Sequence, residues 1–263
     1  MSDRADLPAN VRGVVDSIVK DAARLVREEL AGFDVRTKDD GSPVTSVDLA
    51  VERMIRSRLE EAFPDHGILG EEYGPRNAGA EWTWLIDPID GTRQFAAGLP
   101  NFGILLALCE GDVPRLGVIC QPLLGDVYIG IRDQGSWLNG RLLRAARTQS
   151  LADSVICFSD PDAFDDATRP GMDRLRSTTR WNVYDGGCLA FAALAAGKVA
   201  VSVCAPNLDA HDFCALVPVV EGAGGVITDW QGNELTSQYQ GAIVASCSLQ
   251  LHQVVLTCLT GGS

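Results

Sequence analysis

The chain has no Cys-x-x-Cys pair: its eight cysteines (109, 120, 157, 188, 204, 214, 247 and 258) stand apart, mostly within apolar segments. There cysteine acts as a small hydrophobe, and a disulfide framework is not expected in a chain of 263 residues. Histidine is scarce. His66, His211 and His252 have no ligand spacing among them, which argues against zinc, and His211 reads as a cap or surface residue beside Asp212. Lysine and arginine form no cluster, and a formal net charge of −13 argues against nucleic-acid binding through a basic face. No apolar run reaches the length of a membrane span, and the opening residues carry no signal-peptide pattern. A cytoplasmic protein with reduced thiols is expected.

What the chain does have is an alternation of helix and strand patterns over two halves, 1–145 and 146–263. Apolar residues at helical spacing predict helices over Val11–Leu30 and Val47–Phe63, with a Gly/Asp/Lys loop between them. Strands are expected at Trp82–Ile86, Phe102–Cys109, Leu116–Gln121 and Asp126–Ile131, and Gly135–Gly140 reads as a hairpin. In the second half the expected order is strand Ser154–Ser159, helix Thr168–Arg176, helix Cys188–Ala196, strand Val199–Cys204, helix Asp212–Gly222, strands Val226–Asp229 and Ala242–Ala245, and helix Ser248–Cys258. This pattern predicts α/β layers.

The most informative stretch is Trp84-Leu85-Ile86-Asp87-Pro88-Ile89-Asp90-Gly91-Thr92, an apolar strand that runs into two carboxylates and a Gly-Thr turn. Two Asp carboxylates and the carbonyl between them make a partial oxygen shell for a hard cation such as Mg²⁺. Pro88 stiffens the turn, and Gly91 lets backbone N–H groups approach a phosphate closely. Asp-Gly alone is also an ordinary turn pair. Upstream, Gly70-Glu71-Glu72 supplies a carboxylate suited to joining the same metals or acting as general base, or else a solvated acidic loop. Downstream, Asp212 is either a helix N-terminal acid or a further metal carboxylate from the other half. Asp48, in Thr45-Ser46-Val47-Asp48, reads as a capping acid or as a buried partner for Thr92.

These segments, with Pro43-Val44-Thr45-Ser46-Val47-Asp48 and Glu221-Gly222-Ala223-Gly224-Gly225, resemble the ordered signatures of the inositol monophosphatase family from about Asp16 to the end. The resemblance implies an αβαβα five-layer sandwich, usually dimeric, with the active site between the halves. It implies Mg²⁺-dependent, lithium-sensitive hydrolysis of phosphate monoesters. Glu71, Asp87 and the Ile89 carbonyl would hold one Mg²⁺, and Asp87, Asp90 and Asp212 a second. A third, weaker ion would sit against Glu71. Thr92, Asp48 and Glu71 would activate the attacking water, Gly91 and Thr92 would hold the phosphate, and Lys38 would order a lid.

For the substrate, the segments around Tyr184–Ala190 and His211–Trp230 look closer to the histidinol-phosphate phosphatase branch, and histidine biosynthesis is the expected setting. Many relatives carry a Glu seven residues before the last metal Asp, where this chain has Ala205. Asp185, Gly187 and Asp209 are the candidate substrate contacts, with Asp185 or Asp209 replacing the missing acceptor, and Asp209 reads equally as a solvated acid. The alternatives are an inositol-1-phosphate or broad-specificity phosphatase, a bisphosphate nucleotidase, and a non-catalytic binding or regulatory protein on the same fold. The expected partners are a small phosphorylated substrate and a second copy of the chain, with neither nucleic acid nor membrane.

Overall fold

The computed structural model describes residues 6–261, so residues 1–5 and 262–263 of the two expected halves lie outside the described residues. The first segment contains helix α1 (Val11–Glu29), strands β1 (Val35–Thr37) and β2 (Pro43–Thr45), helix α2 (Ser46–Ala62), strands β3 (Gly67–Gly70), β4 (Gly74–Arg76) and β5 (Trp82–Asp90), and helix α3 (Thr92–Ala96). Strands β6 (Gly103–Glu110), β7 (Val113–Gln121), β8 (Asp126–Ile131), β9 (Gly135–Leu138) and β10 (Arg141–Leu142) complete it. Next come strand β11 (Val155–Phe158), helix α4 (Arg169–Ser177), strand β12 (Trp181–Tyr184), helix α5 (Gly187–Ala195) and strand β13 (Val201–Val203). Helices α6 (Ala210–Phe213) and α7 (Leu216–Gly222), strands β14 (Val226–Asp229) and β15 (Ile243–Ser246), and helix α8 (Leu249–Thr260) close the chain.

Alternating burial along the strands builds the layers. In β6, Ile104, Leu106 and Leu108 face a core shared with α1 and α2, while Leu105, Ala107 and Cys109 face one shared with α5 and α7. In β11, Cys157 faces that same middle core, and Ile156 and Phe158 face a third core under α4 and α8. The order is therefore α1/α2, an eight-stranded sheet (β10-β9-β8-β7-β6-β5-β3-β4), α5/α7, a five-stranded sheet (β12-β11-β13-β15-β14), and α4/α8. This is the expected αβαβα sandwich. The eight-stranded sheet is antiparallel except where β3 runs parallel to β5, which lays Glu71 beside the end of β5. Helix α7 of the later segment packs on β7 and β8 of the earlier one. No helix among the described residues is long and apolar enough to cross a membrane.

Three expectations change. The strand from Trp82 continues to Asp90, with a bulge between Asp87 and Asp90 opposite β6. The helix expected over Asp212–Gly222 is two helices, α6 and α7. A continuous helix would need residue 218 to donate to the Cys214 carbonyl, and Pro218 has no N–H; the chain restarts at Leu216 so that Pro218 falls in a first turn, where that donor is not required. The Gly/Asp/Lys loop is a hairpin of β1 and β2, with its turn at Asp39-Asp40-Gly41.

Candidate active site

Strand periodicity alone would set Asp87 and Asp90 on opposite faces, because residues three apart differ by an odd number of steps. The bulge removes that conflict. Asp87 Oδ1 accepts the Ile89 N–H at 3.0 Å, and Pro88 between them has no donor to satisfy. Asp90 Oδ2 accepts the Cys188 N–H at 2.8 Å, tying the end of β5 to the start of α5. Asp212 lies in the first turn of α6, where its Oδ2 accepts the Asp209 N–H at 2.7 Å in a capping box. Asp212 thus meets both descriptions given to it from sequence. It caps its helix, and one oxygen each of Asp87, Asp90 and Asp212 lie within 4.8 Å of one another.

Such a cluster demands positive charge. Among the described residues no lysine or arginine pairs with these three carboxylates, and the nearest basic group is His211, its Nε2 3.6 Å from Asp212 Oδ1. Burial, then the neighbouring Glu71, Asp90, Asp212 and Asp48, drives Asp87 well above the ordinary carboxylate range. Burial also raises Asp90 against the hydrogen bond from Cys188, and it pushes Asp212 up to about 6 against the pull of His211. Buried and half-buried, mutually repelling oxygen donors without a lysine or arginine partner fit a hard divalent cation.

Glu71 follows β3, and Lys38 at the tip of the β1–β2 hairpin bridges it and Glu72, with Nζ 2.8 Å from Glu71 Oε1 and 2.6 Å from Glu72 Oε1. Burial pulls the ammonium down, but the two carboxylates outweigh it and leave the Lys38 pKa above its ordinary value. Asp48 is wholly buried at the start of α2. Its Oδ2 accepts from the Thr45 N–H at 2.9 Å and from the Thr45 hydroxyl, while its Oδ1 lies 3.3 Å from Thr92 Oγ1. Capping acid and partner of Thr92 are again one residue. The Thr92 hydroxyl also has the Ile89 carbonyl at 3.0 Å. Gly91, at φ 92, makes the turn between Asp90 and Thr92 in a region that disfavours side chains.

A cleft of about 450 Å³ opens beside these groups, lined by Glu71, Asp90, Gly91, Thr92 and Asp212 and also by Arg93, Gln94, Asn101, Asp160 and Asp185. Asp185 is in the left-handed region at φ 59. It is held there from three sides: its N–H donates to the Phe158 carbonyl at 2.8 Å, its carbonyl accepts from Asn101 at 3.0 Å, and its Oδ2 accepts from Gln94 Nε2 at 2.6 Å. Gly187 also lines the cleft, and a Cβ there would sit 3.0 Å from Asp90 Oδ2.

Two sequence expectations are not met. Ala205 does not line the cleft: along β13 and beyond, Val201, Val203 and Ala205 face the outer core, and Cys204 is the residue that reaches the cleft. Asp209 is exposed outside the cleft, its carboxylate turned to Gln240 and to the cap of α6. Conversely, Asp160, Arg93, Gln94 and Asn101 went unread. Only the Arg93-Gln94 pair directly after Thr92 carried a signal in sequence.

Fold and site together define a layered α/β protein with a carboxylate cluster suited to a divalent cation beside an open cleft. The profile of the Inositol monophosphatase family matches residues 8–260. The chain belongs to that family. It is 38% identical over 216 residues to the bifunctional phosphatase IMPL2, chloroplastic, of Arabidopsis thaliana, covering 81% of this chain but 62% of that protein's length. It is 34% identical over 253 residues to the histidinol-phosphatase of Mycobacterium tuberculosis, covering 92% and 94% of the two chains. An inositol monophosphatase structure from Zymomonas mobilis superposes with a TM-score of 0.85 at 31% identity, over 96% of this chain and 99% of that one.

Proposed function

We propose that the protein is a Mg²⁺-dependent phosphatase of small phosphate monoesters, with L-histidinol phosphate as its substrate. The observation that carries the reading is the convergence of Asp87, Asp90 and Asp212 within 4.8 Å, with Asp90 and Asp212 lining an open cleft and Asp87 buried behind them. In this reading Asp87, Asp90 and Asp212, with Glu71 and the Ile89 carbonyl, hold two or three Mg²⁺ ions. Bound Mg²⁺ supplies the Lewis acidity that lowers the pKa of water and neutralises phosphoryl oxygens. The Thr92 hydroxyl donates a hydrogen bond to Asp48, so its oxygen is turned to accept one from the attacking water, and Glu71 takes the water's proton. Gly91 and Thr92 hold the phosphate in line for displacement, and no covalent phosphoenzyme is involved. A cytoplasmic homodimer belongs to the same reading, on family resemblance.

The choice of substrate draws on two supports. Relatives named histidinol-phosphatase match most of the chain, and the cleft carries a carboxylate at Asp185 that suits a cationic amine, whereas Asp160 lies 4.0 Å from the Arg93 guanidinium. A nucleotide is disfavoured, since the one aromatic residue among the lining groups, Phe191, is wholly buried and offers no face for stacking a base.

The test compares Mg²⁺-dependent phosphate release from L-histidinol phosphate, inositol 1-phosphate and 3′-phosphoadenosine 5′-phosphate, in the parent and in Asp185→Asn. The parent is expected to prefer histidinol phosphate by about 10²-fold in kcat/KM, about 2.7 kcal/mol. Asparagine tolerates the left-handed conformation, so Asp185→Asn should keep the cleft's shape and raise the KM for histidinol phosphate by about tenfold. Its rate on inositol 1-phosphate should not change. Equal rates on all three phosphates in the parent would instead mark a generalist.

A further inference from the structure

Glu52 is a wholly buried carboxylate midway along α2 that makes no hydrogen bond to any residue of the acidic cluster. Its Oε2 accepts the Glu72 N–H at 2.7 Å, and its Oε1 accepts the Tyr73 N–H at 3.1 Å and Arg56 Nε at 2.7 Å. Arg56, one helical turn further on, also donates to the Gly74 carbonyl. The ion pair therefore clasps the turn that follows Glu71, between β3 and β4. On the other side of Glu71, its own N–H donates to the Ile86 carbonyl at 3.1 Å, one residue before Asp87.

Gly70 completes the arrangement: a Cβ at that position would fall on the Glu52 carboxylate. A surface turn satisfies its amides with water at little cost. Burying an ion pair to do the same work costs desolvation that its Coulomb attraction often fails to recover. Stability therefore does not account for the clasp. What it fixes is the path of the backbone through Glu71, and so the direction in which that side chain leaves β3.

We propose that Glu52 is a positioning residue, which aims the Glu71 carboxylate at the acidic cluster by holding the Glu72 and Tyr73 amides. The inference rests on the reading of Glu71 as a metal ligand. Second-layer partners of this kind typically govern metal affinity by about 10- to 100-fold.

Mg²⁺ alone is titrated calorimetrically into the metal-stripped full-length chain, in the parent, E52Q, G70A, E71Q and the E52Q/E71Q pair, with circular dichroism as a check of folding. Glu52→Gln and Gly70→Ala are each expected to weaken Mg²⁺ binding by about tenfold or more. At saturating Mg²⁺ both should leave the substrate KM unchanged. In the E71Q background, E52Q should cost less than about a further twofold, because it acts through Glu71. Parent-like Mg²⁺ affinity in folded E52Q, or an equal loss in both backgrounds, overturns the proposal. If E52Q does not fold, G70A decides, since it keeps both charges while displacing the Glu52 carboxylate and the Arg56 guanidinium beside it; parent-like affinity there also overturns it. An E71Q protein that binds Mg²⁺ like the parent strikes down the assignment of Glu71 itself, and this inference with it.

Discussion

Asp90→Asn lowers kcat/KM by about 10³-fold or more, about 4 kcal/mol of transition-state stabilisation, while leaving the protein folded. Both halves of that expectation come from the geometry. Asp90 faces Asp87 and Asp212 with one oxygen and accepts the Cys188 N–H with Oδ2. An asparagine carbonyl oxygen can keep the second contact, so the junction of β5 and α5 survives. The amide cannot replace the charge that a cation needs from this position. Steady-state kinetics at saturating Mg²⁺, with circular dichroism on the same sample, checks the outcome. Near-parent turnover by a folded variant would remove Asp90 from the site.

Asp87→Asn is expected to stabilise the metal-free protein near neutral pH while abolishing its response to Mg²⁺. Asp87, Asp90 and Asp212 all have folded-state pKa values raised above the ordinary carboxylate value. For such groups the unfolded chain releases its protons first as pH rises, so stability is fullest below the ordinary pKa and is lost as pH climbs through the raised values. With Asp212 at about 6, its own share of that loss falls between about pH 4 and about pH 6. A shift of that size in Asp212 corresponds to roughly 2–3 kcal/mol. Thermal melts of chelator-treated protein should show the parent losing several degrees between about pH 5 and about pH 8, and Mg²⁺ restoring them. Asp87→Asn should remove the part of that pH dependence that Asp87 contributes, leaving the Asp212 part, and gain nothing from Mg²⁺. A parent whose metal-free stability rises steadily over the same interval contradicts the account.

Much of this site was legible because its chemistry is local. Asp87, Asp90, Gly91 and Thr92 lie within one turn, and the residue types alone restrict what that turn can hold. The long helices were equally plain: Val11, Val15, Ile18, Val19, Ala22 and Val26 form one buried stripe on α1. Harder to read were elements whose residues carry no burial signal. All of β1 is exposed, and three of the four residues of β12 are exposed, so neither shows the alternation by which strands are recognised.

Ala205 and Asp209 were misplaced for another reason. Spacing from Asp212 says how far along the chain a residue lies, not which way it points. Strand parity sends residue 204 to the cleft and residue 205 to the outer core, and the cap of α6 keeps Asp209 outside. Asp160 enters the cleft only through the packing of the two sheets, which no local pattern announces. Glu52 carries no signal in sequence, because room for its carboxylate depends on a glycine eighteen residues away.

The most direct test of the account is phosphate release from L-histidinol phosphate by chelator-stripped protein as Mg²⁺ is added back. The account predicts no measurable turnover without metal and saturable recovery as Mg²⁺ fills the Asp87, Asp90 and Asp212 cluster. Full turnover in the presence of excess chelator would contradict it.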